Sequence, residues 1–399
     1  MINYIKSGTI TSVPGFSAGA VKSGIKTQKK LDLGLLYCDT PCIAAAVLTT
    51  NQIKAAPVIV SKKHLASRTA QAIIVNSGCA NACVAEQGLA DAQEMVELTA
   101  AKLKINVEDI LVASTGLIGM PLPMDKIRNG IEAISLDCQG GHKLARAIMT
   151  TDTKPKEVAV EVSHQKDKYI IAGISKGAGM IHPHMATMLC FIATNALVKP
   201  EFLQQSLDIA VSNSFNLIDV DGDTSTNDSV FLLASGSANN KILDNENGEE
   251  FQKALNETCI YLAKSMVKDA EGATKFIEVI VEGAVTQSSA RQIARDITSS
   301  NLVKTAMFGN DPNWGRIMAV LGMTGAKVIE SKIDISINNV CVFKQGHPVS
   351  FDNEALRANM SSNADVFLEV KLNMGIERAV AWGSDLSEAY VRINSAYST

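Results

Sequence analysis

No apolar run in this 399-residue chain approaches the roughly 18 residues that a membrane-spanning helix needs. The best candidate, CIAAAVL from Cys42, stops far short. The first residues, MINYIKSGTI, lack the charged start and apolar stretch of an export signal. The expectation is a cytoplasmic protein with no membrane partner. An excess of positive charge is also missing: 37 Lys and Arg stand against 41 Asp and Glu, for a net charge of −4. Nucleic acid is therefore not an expected partner, because phosphate binding needs a concentrated basic face. Aromatics make up only 5% of residues, which argues against base-stacking platforms. With ten prolines, no repeat and no low-complexity stretch, the chain offers no visible linker. The eight cysteines include two pairs four apart, Cys38/Cys42 and Cys79/Cys83, but no zinc-like set completes them. Free, mostly buried thiols are expected.

What is present is a mixture of strand and helix patterns. AIIVNSG from Ala72 and DILVASTG from Asp109 are β-rich runs that end in turns. Between them, Leu89, Ala92, Met95, Val96 and Ala100 recur at helical spacing. A second helix places Phe251, Leu255, Cys259, Leu262, Met266 and Val267 on one side. KFIEVIVEGAV alternates Ile277, Val279 and Val281 with Glu278 and Glu282, the mark of a half-buried strand. DISINNVCVF and DVFLEVKL add two more strands. Strands with one polar face suggest antiparallel sheets with helices on the other side.

KGAGMIHPHMATML, from Lys176 to Leu189, is the segment richest in chemistry. Three readings compete. A glycine-rich turn with a lysine could hold phosphate, but P-loop spacing is absent. His182 and His184 straddle a proline and could bind metal, but no H-E-x-x-H pattern accompanies them. The third reading is an activated hydroxyl at Thr187. Elsewhere, Asp219, Asp221 and Asp223 are spaced like the start of a calcium loop. The glycine falls in the wrong place and Val230 stands at the twelfth position, so that reading fails. A polar turn supporting a site remains.

Seven further blocks resolve the competition: VNSGCANAC, VASTGLIGMPLPM, AIMTTDTKPK, VDGDTSTND, KDAEGATK, LVKTAMFGNDPNWGRI and the ending SDLSEAYVRINSAYST. Together with the KGAG segment, and in this order, they resemble the ornithine acetyltransferase (glutamate N-acetyltransferase) family over essentially the whole chain. Cys79, Ala178 and His184 depart from residues usual in that family. None of them is a residue that the resemblance makes catalytic.

The resemblance implies an α+β fold of mixed sheets with flanking helices, like that of self-processing aminopeptidases and ornithine acetyltransferases. It implies cleavage between Ala186 and Thr187 into chains 1–186 and 187–399, assembled as α2β2. Thr187 would be the nucleophile. Its new α-amine, titrating near pH 8, would serve as the base that an amide nitrogen cannot be. Thr115 and Gly116 would form the oxyanion hole, through a hydroxyl and a backbone N–H. Thr150, Lys176, Thr187, Glu271, Asn394 and the terminal Thr399 would bind substrate, Lys176 facing a carboxylate and Glu271 the ornithine ammonium. The implied reaction carries acetyl from N-acetylornithine to glutamate in arginine biosynthesis, with no cofactor and no metal. Some members also take acetyl-CoA, and the residues leave that open. An amide hydrolase or aminopeptidase using the same threonine is the alternative.

Overall fold

The computed structural model describes residues 1–27, 30–164, 166–182 and 188–396. The chain forms two compact units. One comprises Met1–Gly177, His184–Phe215 and Thr224–Met266; the other comprises Ala178–Pro183, Asn216–Asp223 and Val267–Thr399. Sequence from both sides of the expected cut contributes to each.

The first unit is built on a mixed sheet. Its strands run in the order Ile2–Tyr4, Lys156–His164, Asp167–Lys176, Leu189–Thr194, Ser229–Ala234, Leu33–Leu48, Thr69–Cys79, Ile110–Leu117, with Phe16–Val21 also paired to Leu33–Leu48. Two of these pairs are parallel: Leu189–Thr194 with Ser229–Ala234, and Thr69–Cys79 with Ile110–Leu117. This differs from the antiparallel sheets expected from the sequence, and burial gives the reason. Ala72 and Ile74 face one apolar cluster with Leu33, Leu35 and Val112, under the helix Ala85–Leu103. Ile73 and Val75 face the opposite cluster with Leu36, Leu111, Leu144 and Phe231. Central strands covered on both faces read as continuous apolar runs and tolerate parallel pairing. In that helix Ala92, Met95, Val96 and Ala100 are buried as its period requires, whereas Leu89 is 40% exposed. The long helix Glu249–Val267 buries all six residues expected on its apolar side.

The second unit holds a seven-stranded sheet in the order His347–Pro348, Val340–Lys344, Asp334–Ile337, Asp365–Lys371, Phe276–Ala284, Glu377–Ser384, Ile218–Asp219. In Phe276–Ala284 the odd positions Ile277, Val279 and Val281 are fully buried. On the other face Glu278 accepts a hydrogen bond from Trp382 Nε1 at 2.8 Å, and Glu282 pairs with Arg378 at 3.1 Å. The helix Gln287–Ser299 covers the apolar side with Ala290, Ile293, Ala294 and Ile297. The fold class is thus α+β with mixed sheets, as the resemblance implies. Among the described residues no helix is long and apolar enough to cross a membrane. Five of the eight cysteines are buried and none is in a disulfide; Cys83 and Cys138 are exposed.

Candidate functional site

Ser114, Thr115 and Gly116 lie at the end of the strand Ile110–Leu117, beside Asn76–Gly78 of the parallel neighbour. The ladder turns irregular at Gly78 and Cys79, and Gly116 adopts φ +135° there. A Cβ at Gly116 would sit 2.5 Å from the Cys79 nitrogen and 2.6 Å from the Gly78 oxygen, so only glycine fits. Two buried asparagines brace this turn. Asn76 Oδ1 accepts from Ser114 Oγ at 2.6 Å while its Nδ2 donates to the Cys79 carbonyl at 2.9 Å. Asn227 Nδ2 donates to the Ala80 carbonyl at 2.6 Å and the Ser114 carbonyl at 2.8 Å. Thr115 is 4% exposed. The turn is therefore held from both sides rather than being an ordinary strand end.

Asn227 also connects the turn to the cut region. The next residue, Asp228, accepts from the Met188 amide at 2.9 Å. Met188 is the residue immediately after Thr187. Ala186, Thr187 and Thr399 themselves lie outside the described residues, as does His184.

The third element of the first unit is a buried charge cluster. Asp152 Oδ1 accepts from Lys156 Nζ at 2.6 Å and from the Gly177 amide at 2.8 Å; its Oδ2 accepts from the Thr150 amide at 2.9 Å. Burial favours the neutral acid here, but the charges of Lys176 and Lys156 and these hydrogen bonds outweigh it, holding Asp152 down at about 2. Lys176 is itself buried at 2% exposure. Lys26 approaches the same cluster, donating to the Met149 and Leu31 carbonyls at 2.6 and 3.1 Å. Burial lowers Lys26 to about 8, with Asp32 opposing and Lys176 reinforcing the shift.

The second unit gathers Glu271 and Asn394: Asn394 Nδ2 donates to Glu271 Oε2 at 2.8 Å. The Glu271 amide donates to the Ala178 carbonyl at 2.8 Å. Gly179 passes so close that a Cβ there would lie 2.5 Å from the Glu271 carboxyl. The aspartate-rich turn holds the segment that leads to the cut. Asp221 accepts from the Met180 and Ile181 amides at 2.6 and 2.8 Å and from the Tyr390 hydroxyl at 3.0 Å. Asp219 lies 2.9 Å from His182 Nδ1 and 3.2 Å from the buried Lys304. These carboxylates thus bind backbone and side chains of the protein itself, which is how the polar turn read from the sequence acts as a support.

Among the expected site residues, Thr115, Gly116, Thr150 and Lys176 fall in the first unit, Glu271 and Asn394 in the second. The supports Asn76, Asn227 and Asp152, with Lys26, were not singled out from sequence, whereas Asp221 belongs to the polar turn that was. Each side chain lies within or beside a stretch of strand or turn pattern, where it reads as local structure.

Comparison with known proteins matches residues 17–399 to the ArgJ family. The "Arginine biosynthesis bifunctional protein ArgJ" of Dehalococcoides mccartyi is 49% identical over 402 residues, covering 100% of this chain and 99% of that protein. The protein of the same name from Oceanobacillus iheyensis is 46% identical, covering 100% and 98%. A crystal structure of arginine biosynthesis bifunctional protein argJ from Bacillus halodurans aligns with a TM-score of 0.51 at 43% identity, covering 52% of this chain and 98% of that one. The chain belongs to the ArgJ family, the self-processing threonine-nucleophile acetyltransferases that its sequence blocks resemble, and it is an enzyme of that kind.

Proposed function

We propose that the chain cuts itself between Ala186 and Thr187, and that Thr187 then carries acetyl from N-acetylornithine to glutamate. The single observation that carries this reading is the hydrogen-bonded path from the Ser114-Thr115-Gly116 turn through Asn227 and Asp228 to the amide of Met188. It ties the donors for an oxyanion to the residue bonded to the nucleophile.

In the first half-reaction the Thr187 α-amine takes the hydroxyl proton and Oγ attacks the acetyl carbonyl. The tetrahedral oxyanion is met by the Thr115 hydroxyl and the Gly116 N–H, each such donor lowering the barrier by about 3 kcal/mol. Ornithine leaves and an acetyl ester remains. Glutamate then attacks that ester and departs as N-acetylglutamate. Lys176 receives a substrate carboxylate, Thr150 is set in place by Asp152, Glu271 receives the ornithine ammonium with Asn394 orienting it, and Thr399 closes the list of binding residues. Acetyl-CoA serves as a second donor only if the ester can also form from a thioester. The assembly is an α2β2 heterotetramer of the two cleaved chains, working in the cytoplasm.

The test is an assay of acetylornithine consumption with glutamate present. N-acetylglutamate formed in equal amount supports the transfer. Free acetate in its place would make the chain an amide hydrolase with the same nucleophile.

A further inference from the structure

Lys26 takes no part in the reaction as described, yet its loop is built around a buried carboxylate. Asp32, with no solvent exposure, accepts from the Ser23 amide and hydroxyl at 2.6 and 2.8 Å and from the Gly24 and Lys26 amides at 3.0 Å each. Lys126 of the helix Met124–Ala133 also grips the loop, donating to the Gly24 carbonyl at 2.7 Å. The fixed loop lays the Lys26 stem against the oxyanion turn. A Cβ at Gly78, the residue paired with Gly116, would lie 3.1 Å from Lys26 Cγ. The ammonium then ends beside Thr150: Nζ donates to the carbonyl of the preceding residue, Met149, at 2.6 Å and to that of Leu31 at 3.1 Å. Asp152, which pins the Thr150 amide, also holds Gly177, the residue after Lys176. One side chain thus borders the segments that carry Gly116, Thr150 and Lys176.

An ammonium has three N–H donors. Two are spent on the carbonyls, and among the described residues no acceptor takes the third. The nearby carboxylates are engaged elsewhere: Asp32 with its loop, Asp152 with Lys156, Gly177 and Thr150. Burial pushes Asp228, another acid within reach of the Lys176 charge, well above the usual carboxylate range and so toward its neutral form. Lys26, Lys156 and Lys176 therefore outnumber Asp32 and Asp152, and the exposed Lys30 adds to the imbalance. A partly buried cation in such surroundings is best satisfied by an anion. We propose that Lys26, together with Lys176, binds the α-carboxylate of the substrate. This rests on the reading of Lys176 as a carboxylate partner. N-acetylornithine and glutamate share that carboxylate while their side chains carry opposite charges, so the two lysines serve both half-reactions.

Lys26 must be protonated to act. Burial lowers it to about 8, with Asp32 and Asp152 opposing and Lys176 and Lys30 reinforcing the shift, so its contribution is lost as pH rises through 8. The Thr187 amine titrates in the same range with the opposite effect, becoming a competent base as pH rises. Comparing N-acetylornithine with its α-carboxamide cancels the amine, which both substrates need alike. The test measures kcat/KM for the two substrates with processed wild type and Lys26→Met. The expected result is a loss in Lys26→Met at least about tenfold larger on the acid than on the carboxamide, the usual effect of losing one charged hydrogen-bond partner, and carried mainly by KM. Losses that differ by less than tenfold overturn the proposal, since a merely structural role lowers both alike. Where Lys26→Met fails to fold, the wild type decides: its acid-to-carboxamide ratio of kcat/KM should fall as pH rises from 7 to 9.5, and a flat ratio overturns the role of Lys26. A wild type that prefers the acid at every pH leaves Lys176 standing; one with no preference for the acid overturns both lysines.

Discussion

Gly116→Ala, which replaces one hydrogen by a methyl, should impair catalysis strongly. The added methyl would lie 2.5 Å from the Cys79 nitrogen, at a backbone φ of +135°. Forcing an alanine into that region costs about 1–3 kcal/mol. The strands Thr69–Cys79 and Ile110–Leu117 must also part to clear the overlap, and parting them moves the Gly116 N–H off its aim. Loss of one oxyanion donor is worth about 3 kcal/mol, or 100- to 1000-fold in turnover. Because the same donors would meet the tetrahedral intermediate of self-cleavage, full-length chain should accumulate as well. The assay is steady-state acetyl transfer on the purified processed fraction, with the melting temperature read alongside. The expected pattern is a drop of 100-fold or more in kcat, little change in KM and a melt lowered by several degrees. A folded variant with kcat within threefold of wild type would refute the placement of the oxyanion donor at this turn.

Thr115→Val, which exchanges only the hydroxyl for a methyl, should lower kcat by a similar factor while leaving the melt near wild type; unchanged turnover would take Thr115 out of the role. Asn227→Ala would leave the buried Ala80 and Ser114 carbonyls without their donor, costing about 1–3 kcal/mol in urea unfolding and lowering turnover with it. A stability loss with full turnover would separate Asn227 from the site. Asp152, held at about 2, stabilises the fold at any pH above its ordinary value near 3.8, and that stability is lost as pH falls through 2. The loss amounts to about 2 kcal/mol, so Asp152→Asn should flatten the acid limb of stability between pH 5 and 2.5; parallel limbs in both proteins would contradict this.

The elements were legible where a local period of apolar residues revealed them. Ile277, Val279 and Val281 alternate in the sequence and are buried in the strand, and the six apolar residues of Glu249–Val267 share one buried side. Parallel pairing was not legible, because AIIV is equally a strand buried on both faces and an apolar run of unknown partner. Leu89 carries the helical period but lies near the first turn of Ala85–Leu103 and is half-exposed. The supports of the site escaped for a different reason. Asn227 meets Ser114 across 113 residues and Asp228 meets Met188 across 40, and no local pattern encodes such a pairing. A buried asparagine or aspartate looks in sequence like any turn residue. Family resemblance named Thr115, Gly116, Lys176 and Glu271, but what holds them in place became visible only in three dimensions.

The central claim is that Thr187 becomes the first residue of a new chain, and the most direct measurement is intact mass under denaturing conditions with N-terminal sequencing of each species. The account predicts two species of roughly 20 and 23 kDa, apportioning 42.5 kDa by residue count, the larger beginning Thr-Met-Leu-Cys. They should separate only in denaturant, since Asp167–Lys176 and Leu189–Thr194 are paired neighbours in one sheet. A single intact species in fully active protein would contradict it.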